Sequence, residues 1–547
     1  MPAARTLSLL VLLAACGGGA ASPVDASETL ATATETTAPE PTAAPEPTTG
    51  TATTDAPVDP ICCGCLCVDA QWSCSADTCV YPDGTAAALA PEAGFLAIAA
   101  HTFSTFDHGV EVVRDAPEAR MWYAFRPADG APETRPLAVF FNGGPGYSSA
   151  TLFGMNTNAV TLDPDIAGDA VVAPNPHSWT RFANVLYPDP RGAGYSYDVA
   201  PAVGEPQPLE FVPEHDAADF VRVVLAFLAR HPQLRSNPVI LVGESYGGNR
   251  SALMLGQFLH PGRLAKKSRY YDPSLREAVL AHYAAVFPDA ADLTPQRLAE
   301  QFGHQVLIQP AITWLQVPDV PDTPDDQQML ELGCVPDPDY LQCDEPQWFA
   351  TARTGAAVAA LTDPPSMGLA LGVDAASIEW LHADAREGAV PRGDNGVTHD
   401  ESGLRAVFGE LPAGEAYYLP YNYSGDDTFN WRSAYYGYIY LESFYGARTF
   451  ITDAGKDLTV HAPDIPAKIA GYTDVITAVV HDEQPVAGEA RPGRLVLKYA
   501  PGLLPGDPEV IVRHPHYPVG GHIVSLKQGG ELAEDVCRWF ADDCPLP

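Results

Sequence analysis

Ser245 lies in Gly243-Glu244-Ser245-Tyr246-Gly247-Gly248, a G-x-S-x-G sequence. An apolar run, Pro238 to Val242, precedes it, and a helical pattern from Asn249 to Leu259 follows. Glycines on both flanks permit a sharp strand-to-helix turn that lifts a serine hydroxyl out of a sheet. The N-terminus of the following helix favours negative charge beside it. That context separates a nucleophile from a Gly-rich turn with an incidental serine. A second Gly-rich loop, Asn142-Gly143-Gly144-Pro145-Gly146-Tyr147-Ser148-Ser149, follows another apolar run. It lacks the Lys and Ser/Thr of a phosphate-cradling loop. Its backbone N–H groups instead suit half of an oxyanion hole, with Tyr246 supplying the other half. The chemistry expected of the pair is acyl transfer through Ser245, with Gly144 and Tyr246 as oxyanion donors.

The elements that must hold these loops read as an alternating α/β chain. Leu137–Phe141, Asn184–Tyr187 and 238–242 are apolar runs of strand length. Between the last two, apolar residues at 217/218, 220/221, 224/225 and 227/228 give a 3.6-residue period over Glu214–Arg230, just after Pro213. Further strands are expected at Arg448–Ile451 and 509–512. Such alternation predicts a mostly parallel sheet covered by helices. Residues 260–440 interrupt the rhythm with prolines, amphipathic pieces and Cys334/Cys343, and are expected to form a mainly helical cap.

The chain has 547 residues, with 31 Lys+Arg against 69 Asp+Glu and a net charge of −38. That acidity disfavours nucleic acid and anionic lipid headgroups as direct partners. Residues 1–15 carry one positive charge and a run of about nine apolar residues, too short to span a membrane and suited to a secretory signal. The run ends Leu13-Ala14-Ala15-Cys16, which resembles a bacterial lipobox and implies acylation of Cys16. With Cys16 taken by lipid, ten of the 11 cysteines remain, an even number suited to disulfides in an oxidising compartment. A lipid-anchored, extracytoplasmic location in a bacterial envelope is therefore expected. Residues 16–60, rich in Ala, Thr and Pro, read as a disordered tether. Cys62, Cys63, Cys65, Cys67, Cys74 and Cys79 crowd into 61–82; without a histidine or paired Cys-x2-Cys spacing they fit a disulfide-stapled module better than zinc. Six cysteines allow 15 pairings. Cys334/Cys343 and Cys537/Cys544 are close enough in sequence to pair locally. A catalytic unit over 90–547 completes the chain. No metal or cofactor is expected.

Four segments together resemble the serine carboxypeptidases: Asn142 to Ser149, Asn175-Pro176-His177-Ser178-Trp179, Gly192-Ala193-Gly194-Tyr195-Ser196, and Gly243 to Gly248. Their order and spacing match that family's Asn-Gly-Gly-Pro-Gly, Asn-Pro-x-Ser-Trp, Gly-x-Gly-aromatic-Ser and Gly-Glu-Ser-Tyr-small-Gly. The resemblance implies an α/β-hydrolase fold with a helical cap insertion. It also implies hydrolysis of C-terminal residues from peptides through an acyl-enzyme.

The triad partners should follow the serine in the order Asp, then His. His522, in Gly520-Gly521-His522-Ile523-Val524, resembles the family's Gly-Gly-His segment; His514 and His516 lack that glycine context. Asp457, in Ala454-Gly455-Lys456-Asp457, resembles the family's Gly-x-x-Asp with the glycine one position closer, and Asp453 is the second choice. The resemblance further assigns Asn142, Gly143 and Glu244 to binding of the substrate's free carboxylate. A glutamate donates a hydrogen bond to an anion only when protonated, so binding should weaken as pH rises through neutrality. One position departs: Asn156 stands where the family carries a second carboxyl partner, which points to a milder acid preference. An esterase or acyltransferase on the same scaffold would keep the triad without needing a free C-terminus. A non-catalytic surface lipoprotein would need neither.

Overall fold

In the computed structural model the described residues fall mainly within 88–146, 157–162, 172–199, 209–288, 293–315, 432–455, 465–518 and 524–546. Short strand pairs at 61–80 and 417–422, Ser149, Leu152, Val317, Asp457 and Gly520 complete them, and a few positions within those ranges are excepted. Cys16, the tether, Asn156, Cys334/Cys343 and His522 lie outside the described residues.

Buried, apolar runs form the centre. Strand β1 is Glu92–Ile98, β2 Ala119–Arg126, β3 Leu137–Phe141, β4 Asn184–Pro188 and β5 Tyr197–Val199. Helix α1, Pro213–Arg230, follows. Its Pro213 suits the first helical position, where no N–H is needed. Glu214 and Asp216 in its first turn complement the helix dipole. Strand β6 (Val239–Glu244) runs into helix α2 (Gly247–Leu259). Helices α3 (Pro273–Val286) and α4 (Pro295–Phe302) lead to β7 (His304–Ile308). Helix α5 (Ala434–Gly446) leads to β8 (Arg448–Ile451), and β9 (Ile476–Asp482), β10 (Arg494–Tyr499), β11 (Glu509–Arg513) and helix α6 (Ser525–Phe540) close the chain.

One twelve-stranded sheet carries the molecule, with central order β2-β4-β3-β6-β7-β8-β11. The pairs β4/β3, β3/β6, β6/β7, β7/β8 and β8/β11 are parallel. Strand β2 is antiparallel to β4, and β1 to β2. All residues of β3 and β6 are buried, as expected of parallel strands covered on both faces. This is the α/β-hydrolase fold. Its central strands end on the same edge, where such sheets place their ligands.

The range read as cap needs correction. Residues 304–308, inside 260–440, are the central strand β7, and α3 and α4 belong to the connection between β6 and β7. Only three of the five residues of β7, Val306 to Ile308, are apolar, and helix α4 precedes it directly, so no apolar run of strand length marked it. Residues 318–416 lie outside the described residues. Cys537 and Cys544 form a disulfide at the end of α6. In the cysteine-rich segment, Cys62 faces Cys65 and Cys74 faces Cys79 across short antiparallel pairs. Among the described residues, no helix is long and apolar enough to cross a membrane.

Candidate active site

Ser245 occupies the turn between β6 and α2 with φ +55. A non-glycine residue in that conformation stores strain on the order of 1–3 kcal/mol and persists only where its surroundings hold it. Three backbone hydrogen bonds do so: Ser245 N donates to Ile308 O (3.0 Å), while Gly248 N (2.9 Å) and Ala311 N (3.0 Å) donate to Ser245 O. The flanking glycine is sterically required. A Cβ on Gly243 would lie 2.1 Å from Gly247 O.

The Gly-rich loop packs directly on this turn. A Cβ on Gly143 would lie 2.6 Å from Tyr246 N and 2.7 Å from Ser245 Cβ. Gly144 has φ +103 and is joined to Pro145 by a cis peptide. The far end of the loop is anchored by Ser149, whose N (2.8 Å) and Oγ (2.9 Å) both donate to Asp189 Oδ1. Asn142 and Glu244, from the ends of adjacent strands, are both buried. Glu244 Oε2 accepts from Asn142 Nδ2 at 3.2 Å and from Gly143 N at 3.3 Å. Thus Asn142, Gly143, Glu244, Ser245 and Tyr246 form one contiguous group, as their sequence motifs imply.

The other motif segments are scaffolding. Asn175 Nδ2 donates to Asn158 O (2.8 Å), and Asn175 Oδ1 accepts from His177 N (2.9 Å). Trp179 is fully buried and meets Phe140 of β3 edge-on, with centroids 4.8 Å apart. Ser196 Oγ accepts from Trp122 N and donates to Asp189 O, tying β2 to the segment that anchors the loop.

The acid side is built differently. Asp457, 3 % exposed, accepts at Oδ2 from Gln309 Nε2 (2.8 Å). Gln309 is fully buried with φ +43. Its Oε1 accepts from Thr452 Oγ1 (3.0 Å) and Ala454 N (3.0 Å), and its own N donates to Thr452 Oγ1 (2.9 Å). The residue before it, Ile308, holds Ser245 N, so Asp457 is tied to the nucleophile turn through two consecutive residues. Asp453 lies across a short parallel pair from His516, and its Oδ2 is 3.0 Å from His516 Nδ1. His514 is buried, neither ring nitrogen has a hydrogen-bond partner among the described residues, and burial pushes its pKa down to about 4.

Sequence reasoning missed Gln309, Arg250 and Asp216. The only signal for Gln309 was a polar residue at the end of a strand that itself went unread. His101, His215 and Asp219 bring metal-ligating atoms close together. Both Asp219 oxygens, however, accept from Arg191 (2.6 and 3.2 Å), and Arg222 lies 4.0 Å away. Two guanidinium groups oppose a further cation there.

Fold and turn together define an α/β-hydrolase-type scaffold with a serine held in a left-handed strand-to-helix turn. Residues 104–260 match the family model described as serine carboxypeptidase. Over 140 residues the chain is 34 % identical to "Serine carboxypeptidase-like 14" of Arabidopsis thaliana, covering 25 % of this chain and 31 % of that one. Over 135 residues it is 36 % identical to "Carboxypeptidase S1" of Penicillium janthinellum, covering 24 % and 28 %. The matched segment thus spans less than a third of these relatives' length. A solved structure of Kex1(delta)p, a prohormone-processing carboxypeptidase of Saccharomyces cerevisiae, aligns over 82 % of this chain and 91 % of its own, with 11 % identity and a TM-score of 0.41.

Proposed function

We propose that the protein is a serine-type carboxypeptidase that removes C-terminal residues from peptides, held in a bacterial envelope by lipid on Cys16. The observation that carries the catalytic reading is the buried polar cluster beside Ser245. Glu244, directly before Ser245, accepts from the Asn142 side chain and the Gly143 amide, so donors and a carboxyl group converge one residue from the attacking hydroxyl. That arrangement suits a terminal carboxylate, a group that an ester or an internal peptide bond does not present.

Ser245 attacks the scissile carbonyl, and His522 takes its proton and delivers it to the leaving amine. Asp457 fixes the histidine tautomer and stabilises the imidazolium. The amides of Gly144 and Tyr246 stabilise the oxyanion, each worth about 2.7–4 kcal/mol. Water then releases the acyl group.

Incubating the protein with a peptide and its C-terminal amide, with mass readout, tests this. Cleavage of the free acid alone supports the reading, and equal cleavage of both refutes it.

A further inference from the structure

We infer that Arg250, paired with Asp216, is a positioning residue that sets the direction of the Gly143 amide and thereby the recognition of a substrate carboxylate. The inference rests on the carboxypeptidase reading above. Arg250 lies on α2, five residues beyond Ser245, and is fully buried. Its Nε and Nη2 donate to the two oxygens of Asp216 on α1, at 2.8 and 3.2 Å. The Tyr246 hydroxyl also donates to Asp216, at 3.3 Å. Phe220 lies under the guanidinium at 4.3 Å, with Tyr246 at 5.3 Å and Phe141 at 5.5 Å. The plane of the guanidinium is therefore fixed from two helices and by three rings.

The remaining arm, Nη1, donates to Asn142 O at 2.6 Å. That carbonyl belongs to the same peptide group as the Gly143 N–H, which donates to Glu244 Oε2 at 3.3 Å. A trans peptide is planar, with its C=O and N–H pointing in opposite directions. Holding the oxygen toward Arg250 therefore aims the N–H at the Glu244 carboxyl. Arg250 touches no reacting atom; it acts through the peptide it holds.

The pair is buried, so removing one partner leaves an uncompensated charge and threatens folding. Two variants avoid this. Arg250→Lys keeps the charge beside Asp216 but lacks the fork that reaches both Asp216 and Asn142 O. The double variant Asp216→Leu/Arg250→Met removes both charges together, which is often neutral for stability.

Each variant is assayed with a free-acid peptide, with its C-terminal amide, and for the rate of Ser245 labelling by a fluorophosphonate. The expected result is about a tenfold rise in KM for the free acid, the scale of one hydrogen bond to a charged group. The labelling rate should change less than about threefold, because the nucleophile is unaltered. An unchanged KM for the free acid in either variant overturns the inference. So does a parallel fall in labelling and in turnover, which marks a purely structural pair. If the unmodified protein cleaves acid and amide alike, the carboxypeptidase reading itself fails, and the inference with it; that outcome is visible before any variant is made.

Discussion

The two halves of the site are held by different physics. On the nucleophile side, between β3 and α2, close main-chain contacts dominate, and Arg250 holds one loop peptide from behind. Ser245 is in a left-handed conformation, Gly143 touches the elbow where no Cβ fits, and Gly243 faces Gly247 O at a distance only glycine permits. On the acid side, at the ends of β7 and β8, position is set by side chains. Gln309 links Thr452, Ala454 and Asp457 through its carboxamide. Main-chain constraints leave one residue type at a position, so they write a motif. A side-chain bridge fixes geometry equally well and leaves no short pattern behind.

The largest expected contrast separates the two acidic residues. Asp457→Asn should lower kcat by about 10⁴-fold, the cost of a wrong histidine tautomer. Asp453→Asn, whose partner is His516, should leave kcat/KM for a free-acid peptide within a few-fold of the original. Reversed outcomes would exchange their roles.

Gly143→Ala comes next. Its Cβ would press on main-chain atoms of the elbow, and displacement of reacting groups by about 1 Å costs roughly 100-fold in kcat/KM. Activity close to the original would show that the nucleophile side yields more than its geometry implies.

Gln309→Leu should lower kcat by at least about tenfold, because the hydrogen bond to the Asp457 carboxylate is lost together with those from Thr452 Oγ1 and Ala454 N. KM should change less than about threefold. A kcat unaffected by this change would mean that the acid loop holds itself.

A further contrast, read in stability rather than in rate, concerns acid. Burial pushes His304 and His514 down to about 4. Between that value and the ordinary 6.5, the unfolded chain binds protons that the folded chain refuses. The stability of each site is therefore full above pH 6.5 and is lost as pH falls through 4, by up to about 3 kcal/mol. His514→Phe should flatten the fall in Tm between pH 7 and pH 4.5 while changing Tm at pH 8 little. An unchanged slope would remove His514 from the acid response.

Legibility followed this division. Leu137–Phe141 and Arg448–Ile451 were read from their apolar runs with the boundaries they have in the structure. Helix α1 was read from its periodicity to within one residue at its start. Strand β7 was missed because only Val306 to Ile308 are apolar and they lie in a stretch whose prolines suggested an insertion. Gln309 was missed with it. Arg250 looked like an ordinary charge on a helix, since nothing nearby in sequence announces that Asp216 and Asn142 O await it.

The turn at Ser245, the close approach of the Gly143 loop and the parallel strands that carry them are all legible in local sequence. These depend on backbone conformation, and that is written in neighbouring residues. Tertiary structure alone decided that Asp453 meets His516 while Asp457 meets Gln309. It likewise decided that a buried arginine grips the peptide behind the Glu244 carboxyl. Those contacts join residues on separate strands and helices, and only the register of the sheet and the packing of helices upon it bring them within hydrogen-bonding distance.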